Sequence, residues 1–313
     1  MTSTSSTLTV PQELIELCCL SYCDDDADLG ETIAQQEAAI AADINSGLKD
    51  AGMTGWSIAW GPVLSSDIER TFMMYLATDG AGDYAVVVRG TDPKSLLGWF
   101  IDLDVTLVTA PFGSNVKIAR GVVDAIKVLG GLTNGSSQTV AQFLNAQSGV
   151  QNVYVTGHSF GGTLATAFAP LLVAQGVANV QVTTFAGTTA GDAAFAAFFN
   201  TAFPGAASYA NTLDIIPDAW SALPNIPQNY ANVSGPACPA AVTDLIDIFA
   251  PLLSAYTAAG TLQSLAGSLQ LASDWFKEVG AQHYHWYYAQ LLGAPVLSKD
   301  ELEIVTFVKS RAA

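Results

Sequence analysis

Near its middle the chain reads Val153-Tyr154-Val155-Thr156-Gly157-His158-Ser159-Phe160-Gly161-Gly162. The first residues of this stretch favour a β-strand, and the residues after it place alanine, leucine and phenylalanine at helical spacing. The Gly-x-Ser-x-Gly pattern between them is typical of a tight strand-to-helix turn, in which glycines leave room that a side chain would fill. Such a turn lifts a serine hydroxyl above the sheet, so Ser159 is the candidate nucleophile.

Segments with strand and helix patterns alternate around this turn. Because strands separated by helices pair mainly in parallel, the order predicts the α/β class: a mainly parallel central sheet with helices on both faces. Two of the first three strands are expected to form a hairpin. The predicted helices cover residues 10–23, 31–49, 121–129, 163–175 and 192–199, and the predicted strands cover residues 54–62, 71–78, 84–89, 152–156, 179–185 and 208–212.

Length and composition indicate a globular chain with a large core. It has 313 residues, 50% of them apolar and 12% charged, with a net charge of −17. We predict a single domain over residues 1–313, with N-terminal helices near residues 10–50. The negative charge argues against nucleic acid as a partner. No secretory signal and no membrane-spanning stretch is recognisable, so a cytoplasmic location is expected, with a secreted mature form as the alternative.

Cysteine and histidine usage argues against a metal site. Cys18, Cys19 and Cys23 crowd onto one predicted helix without a Cys-x-x-Cys pair, which favours buried free thiols over disulfides. None of the three histidines is spaced to complete a zinc site with them. We therefore expect neither a metal nor a cofactor.

A serine nucleophile needs a base, because its hydroxyl is almost wholly protonated at neutral pH. The chain has only His158, His283 and His285 to offer. His158 adjoins the nucleophile, and consecutive residues at a sharp turn do not easily present their side chains to one point. The base is therefore His283 or His285. The other histidine is expected to pack among the aromatic side chains around it.

The third member of such a site is a carboxylate that orients the imidazole. Asp214 follows a predicted strand and falls between the serine and the histidines, which is the chain order of an α/β-hydrolase. Asp218, Asp244 and Asp247 are its competitors.

Two hydrogen-bond donors are needed for the oxyanion of a tetrahedral intermediate. The backbone N–H of Phe160 in the turn is one candidate. Thr91, after the apolar strand and Gly90, is the other, because it offers both a backbone N–H and a hydroxyl. The alternative for Thr91 is an ordinary turn in which it caps the following segment.

Four further segments stand in a fixed order around the Ser159 turn: Val86-Val87-Val88-Arg89-Gly90-Thr91, Trp99-Phe100-Ile101-Asp102-Leu103, Thr184-Phe185-Ala186-Gly187-Thr188-Thr189-Ala190-Gly191-Asp192-Ala193-Ala194-Phe195 and Asn211-Thr212-Leu213-Asp214-Ile215-Ile216-Pro217. Together with the turn, these segments resemble the class 3 lipases, the family of the filamentous-fungal triacylglycerol lipases. The similarity covers about residues 84–292 and implies an α/β-hydrolase fold that cleaves lipid esters with a Ser-His-Asp triad.

The resemblance also bears on the choice of base. The family places its catalytic histidine five residues before a tyrosine or a similar aromatic, and Tyr288 has that spacing from His283. His283 is therefore preferred over His285. Trp99 and Phe100 are candidates for the apolar wall that binds substrate.

Residues 231–280 form an apolar excursion longer than catalysis requires. Its pattern predicts an amphipathic helix pair broken at Pro251. It is interpreted as a helical cap over an acyl-chain pocket, as a lid that moves at a lipid surface, or as a helix simply packed on the sheet.

The sequence thus predicts a serine hydrolase that cleaves carboxylic esters of lipids through an acyl-enzyme. The expected partner is a small-molecule or lipid ester, with transient contact to a lipid interface. Two alternatives stay open: an esterase for short-chain or feruloyl esters, and a non-catalytic lipase-like binding protein.

Overall fold

A computed structural model of the protein describes residues 8–23, 31–66, 71–90, 104–113, 115–270 and 274–295. Thr91, Trp99 and Phe100 lie outside these ranges. The described α-helices are α1 (Val10–Leu20), α2 (Ile33–Asp50), α3 (Arg120–Gly131), α4 (Val140–Asn145), α5 (Phe160–Ala174), α6 (Ala193–Ala202), α7 (Ala240–Leu252), α8 (Trp275–His283) and α9 (His285–Leu292). The described strands are β1 (Ser57–Leu64), β2 (Met73–Thr78), β3 (Asp83–Val88), β4 (Leu107–Thr109), β5 (Lys117–Ala119), β6 (Asn152–His158), β7 (Val180–Phe185), β8 (Ala207–Asn211) and β9 (Thr261–Leu265).

One large sheet organises the described part of the chain. Its strand order is β1-β2-β3-β6-β7-β8-β9, with the pairs β1–β2 and β2–β3 antiparallel and the remaining four parallel. The expected mainly parallel sheet and its hairpin, β2–β3, are therefore confirmed. Strand β9 and the small pair β4–β5 were not predicted, because these strands have only five, three and three residues.

Helices pack on both faces of the sheet, as the sequence predicts. Successive side chains of a strand point to opposite faces, so β6 feeds two cores. Val153 and Val155 join one core with α3, α5 and α6, while Tyr154 joins the other with α1, α2 and α9. The C-terminal end of β6 is thus held between two packed layers.

Helix α1 packs with α2 and α9 on one face of the sheet. It connects the N-terminal region to the C-terminal end of the described chain. Its residues Leu14 and Leu17 are fully buried. Gln12 Nε2 donates to the carbonyl of Leu292 at 2.9 Å, at the C-terminus of α9, where helix carbonyls lack partners within the helix. Tyr75 in β2 donates its hydroxyl to the carbonyl of Leu17 at 2.6 Å.

The described part of the segment between β8 and α8, which includes most of the excursion at residues 231–280, is not purely helical. It contains 3-10 turns at Ile216–Asp218, Leu223–Gln228 and Ala231–Val233, the helix α7, and β9, which joins the sheet beside β8. The expectation of a helix pair broken at Pro251 was wrong. Pro251 lies in the last turn of a single helix, where losing one hydrogen bond does not split it.

Helix α7 carries an apolar stripe on its outer side. Leu245, Ile248 and Leu252 are 50%, 60% and 73% exposed, whereas Ile246 is buried in the core. The helices within the described ranges all lack the length and apolar character that a membrane span requires.

Candidate active site

Ser159 occupies a strained position between β6 and α5. Its backbone has φ 59° and ψ −132°, a conformation that costs a non-glycine residue about 1–3 kcal/mol. Hydrogen bonds on both sides hold it there: the Ser159 N–H donates to the carbonyl of Phe185 at 2.9 Å, and the Gly162 N–H donates to the carbonyl of Ser159 at 2.9 Å. The predicted strand-to-helix turn is therefore confirmed.

The two glycines of the turn are required by close backbone contacts. A Cβ on Gly157 would overlap the carbonyl of Gly161, and a Cβ on Gly161 would overlap the carbonyl of Val88 in β3. The helix that follows the serine can approach the sheet this closely only because both side chains are absent. The structure thus has the close backbone approach that the Gly-x-Ser-x-Gly pattern predicts.

Three side chains from separate elements meet at the carboxyl end of the sheet. Ser159 Oγ lies 2.8 Å from His283 Nε2, and His283 Nδ1 lies 2.7 Å from Asp214 Oδ2. All three residues are buried. Because a carboxylate only accepts, Nδ1 carries the proton of a neutral imidazole, and Nε2 is left to accept from the Ser159 hydroxyl.

Asp214 is held by two donors besides His283. Its Oδ1 accepts from the Ile216 N–H at 2.9 Å, and its Oδ2 accepts from the Tyr288 hydroxyl at 2.7 Å. Burial, and next the charge of Asp214, raise the pKa of Tyr288 well above its usual range, so this hydroxyl keeps its proton. Sequence reasoning used Tyr288 only as a spacing marker and missed its contact with the carboxylate.

A buried amide network joins the element carrying His283 to the strand that precedes Asp214. Asn211 Nδ2 donates to the carbonyl and to Oε1 of Gln282, at 2.9 and 2.7 Å. Gln282 Nε2 donates in turn to Glu278 Oε1 at 2.7 Å. Sequence reasoning missed this network, although the Glu278–Gln282 spacing of four residues places both on one helix face.

His285 takes no part in the contact with Ser159. Its ring stacks on Tyr22 with centroids 4.4 Å apart and an angle of 5° between the planes, and it also meets Tyr284. Burial, and next the neighbouring His283, lower the pKa of His285 to about 3, so it is neutral at physiological pH. The histidine that does not face the serine packs among aromatic rings, as the sequence predicts.

Gly90, two residues after β3, lies directly beside Ser159. A Cβ on Gly90 would overlap the Tyr22 hydroxyl and would lie 3.2 Å from the Cβ of Ser159. Phe160 begins α5 immediately after the serine, at the positive end of the helix dipole. Thr91 follows Gly90 but lies outside the described residues, so its part in an oxyanion hole stays a prediction.

The competing carboxylates do not reach the imidazole of His283. Asp244 and Asp247 are exposed on α7. Asp218 lies closer, in the first 3-10 turn after Asp214. Burial, and next the Asp214 carboxylate, raise the pKa of Asp218 to about 6.

The raised pKa of Asp218 predicts a pH-dependent gain in stability for Asp218→Asn. An unfolded aspartate ionises near pH ~3.9, so ionised Asp218 lowers the free energy of unfolding progressively between about pH 4 and 6, and fully above that. Because the side chain is partly exposed, solvent screening limits the loss of unfolding free energy to about 1 kcal/mol. Asp218→Asn should therefore raise the free energy of unfolding by about 1 kcal/mol at pH ~8 and leave it unchanged at pH ~4.

Urea unfolding at the two pH values measures this effect, with Asp244→Asn on the exposed side of α7 as the matched control. A gain for Asp218→Asn that is equal at both pH values would show that the charge of Asp218 is not its source.

The cysteines are free thiols, two of them buried. Cys18 and Cys19 are buried in the second core, and burial raises the pKa of the Cys18 thiol to about 12. Within the described ranges, no three His, Cys, Asp or Glu side chains are grouped so that they could hold a metal ion.

Comparisons with known proteins agree with this geometry. The family model "Lipase (class 3)" matches residues 85–223. The crystal structure of M37 lipase superposes with a TM-score of 0.75 at 27% identity, over 92% of this chain and 93% of that chain. Rhizomucor miehei triacylglyceride lipase gives 0.54 at 20% identity over 82% and 79% of the two chains. MDLA N225Q from Penicillium cyclopium gives 0.55 at 16% identity over 84% and 83%. None of the curated protein sequences matches significantly.

The two fungal structures show similarity of fold alone. The family model and M37 lipase also show similarity to lipases in sequence. The matched residues 85–223 contain Ser159 and Asp214, and the likeness to M37 lipase extends over nearly the whole of both chains. Residues 85–223 of this chain, which include Ser159 and Asp214, are therefore similar to the class 3 lipase family.

Proposed function

We propose that this protein cleaves lipid esters through an acyl-enzyme formed on Ser159. The observation that carries the proposal is the continuous hydrogen-bonded chain from Ser159 Oγ through His283 to Asp214, at 2.8 and 2.7 Å. This arrangement supports the proposal, because acyl transfer by serine requires a nucleophile, a base and an orienting carboxylate within reach of one another.

In the first half of the reaction, His283 Nε2 takes the hydroxyl proton while Ser159 Oγ attacks the ester carbonyl carbon. The carbonyl electron pair moves onto oxygen, where the N–H of Phe160 and a donor from Thr91 stabilise it. Asp214 stabilises the imidazolium. The intermediate collapses when the bond to the alcohol oxygen breaks and His283 gives its proton to that oxygen.

In the second half, water replaces the alcohol. His283 takes a proton from the water, the hydroxide oxygen attacks the acyl carbon, and the tetrahedral intermediate expels Ser159 Oγ, which recovers its proton from His283. The products are a carboxylic acid and free enzyme. His283 accepts and then donates every proton that is transferred in this cycle, so the scheme uses no cofactor.

Apolar surroundings support a lipid acyl chain as the substrate. The segment around Asp214 contributes buried apolar side chains to the same core as Phe160, namely Leu213, Ile215, Ile216, Trp220 and Leu223. The exposed stripe on α7, with Leu245, Ile248 and Leu252, supports transient contact with a lipid surface. The net charge of −17 favours a neutral surface over an anionic one.

A chain-length series tests the substrate class. We expect kcat/KM for p-nitrophenyl esters to rise from acetate toward longer acyl chains, because each methylene buried in an apolar pocket contributes about 0.8 kcal/mol. The rate should rise further when a long-chain acylglycerol is presented as an emulsion. A maximum at acetate, or activity confined to feruloyl esters, would indicate an esterase instead.

Covalent labelling tests whether the site is catalytic at all. A fluorophosphonate should attach to Ser159 of the folded protein, and a fluorophosphonate-treated sample should lose its ester hydrolysis in parallel. A native protein that is neither labelled nor active would indicate the non-catalytic alternative.

A further inference from the structure

The C-terminal end of α8 is held by side chains from the two segments that carry Ser159 and Asp214. The last carbonyls of an α-helix have no N–H partner within the helix. Here the carbonyl of Gln282 accepts from Asn211 Nδ2 at 2.9 Å, and the carbonyl of His283 accepts from His158 Nε2 at 2.9 Å. Asn211 lies three residues before Asp214, and His158 directly precedes Ser159. The backbone of the base is thereby tied to its two partners.

The contact with a carbonyl identifies the tautomer of the His158 ring. A carbonyl oxygen can only accept, so Nε2 of His158 carries the proton and donates it to the carbonyl of His283. In the neutral ring Nδ1 must then accept a hydrogen bond. Burial, and next the neighbouring histidines His283 and His285, lower the pKa of His158 well below its usual range, which keeps the ring neutral.

Tyr22 supplies the donor that Nδ1 of His158 needs. Its hydroxyl lies 3.0 Å from Nδ1 of His158 and 3.3 Å from the carbonyl oxygen of the same residue. The Tyr22 ring is buried and stacked on His285. Tyr22 stands in the turn after α1, a helix anchored to the sheet through Leu17, so the hydroxyl is presented from a fixed element.

We propose that His158 and Tyr22 are positioning residues, in which Tyr22 holds the Nε2–H tautomer of His158 and His158 holds the backbone of His283 over Ser159. This inference rests on the proposed function. Neither residue exchanges a proton with substrate. Because His158 and Ser159 are neighbours in the chain, their rigid connection fixes the base relative to the nucleophile. A displacement of about 1 Å in such a pair can cost about a hundredfold in rate.

The kinetic test removes the donor and then restores it. His158→Leu should lower kcat on a dissolved p-nitrophenyl ester by about 10- to 100-fold with little change in KM, because only the alignment of His283 is lost. His158→Gln, whose amide N–H can reach the same carbonyl, should recover most of the rate. Tyr22→Phe keeps the aromatic ring but removes the hydroxyl that donates to Nδ1 of His158. It should lower kcat by about 3- to 10-fold. A His158→Leu enzyme with the wild-type kcat, or a Gln variant no better than Leu, would overturn the proposal.

A spectroscopic test stands apart from activity and separates this inference from the proposed function. With only three histidines in the chain, ¹⁵N labelling of histidine and long-range ¹H–¹⁵N NMR can report each tautomer. His158 should show a protonated Nε2 and an unprotonated Nδ1, and Tyr22→Phe should mix the two tautomers. A protonated Nδ1 in the wild-type protein would contradict the inference even if the enzyme is active. The expected tautomer in a protein without esterase activity would contradict only the proposed function. If His158→Leu does not fold, the Gln and Phe variants with these spectra decide the question.

Discussion

Ser159→Ala is expected to lower kcat on a dissolved p-nitrophenyl ester by about a thousandfold or more. Without the hydroxyl no acyl-enzyme forms, and only binding and the oxyanion donors remain to assist attack by water. Among the described residues, the hydrogen bond lost is the 2.8 Å contact between Ser159 Oγ and His283 Nε2. Steady-state kinetics measures the loss, and fluorophosphonate labelling should vanish with it.

Alanine is a well-matched replacement at this strained position. It keeps the Cβ, so the backbone at φ 59° is no more strained than with serine. Circular dichroism and urea unfolding should therefore show a native fold. A loss of less than about a hundredfold in a folded variant would mean that Ser159 is not the nucleophile.

Asp214→Asn is expected to lower kcat by about ten-thousandfold, because no orientation of the amide satisfies its surroundings. If the amide NH₂ replaces Oδ2, it faces the donors of His283 and Tyr288, and the imidazole must move its proton to Nε2, where it can no longer accept from Ser159. If the NH₂ replaces Oδ1, it faces the N–H of Ile216. In both cases the imidazolium loses its carboxylate.

Tyr288→Phe provides the graded comparison for Asp214→Asn. It removes one donor to Oδ2 but leaves the 2.7 Å contact between His283 and Asp214 in place. We expect a loss of about tenfold in kcat, in line with one hydrogen bond to a charged group. If Asp214→Asn cost no more than Tyr288→Phe, the carboxylate would not be the partner of the base.

Local patterns in the sequence were enough to predict the elements that carry Ser159 and Asp214. The β6–Ser159–α5 turn follows from a strand run, two glycines and a helical run, all within ten residues, and Asp214 follows from its place after a strand. By contrast, β9 could not be predicted from Thr261–Leu265, because a short, half-exposed strand shows little alternation and forms only through pairing with β8.

The choice between His283 and His285 shows where local reasoning ends. The two histidines lie two residues apart at a helix junction and have the same chemistry. Only the spacing to Tyr288 favoured His283. In the folded chain His283 ends α8 and faces Ser159, while His285 begins α9 and stacks on Tyr22. That difference arises from the break between the two helices at Tyr284, which turns the two imidazoles in different directions.

Sequence patterns alone predict the mainly parallel sheet, the turn at Ser159 and the position of Asp214 after a strand, since these depend on periodicity and on glycines close together in the chain. The folded structure is needed to show that His283 faces Ser159 and that His158, excluded as a base, donates instead to the carbonyl of His283. The same holds for Tyr22, which lies far from both histidines along the chain. Hydrogen bonds between residues more than a hundred positions apart depend on how layers pack across a sheet, and no local pattern encodes that.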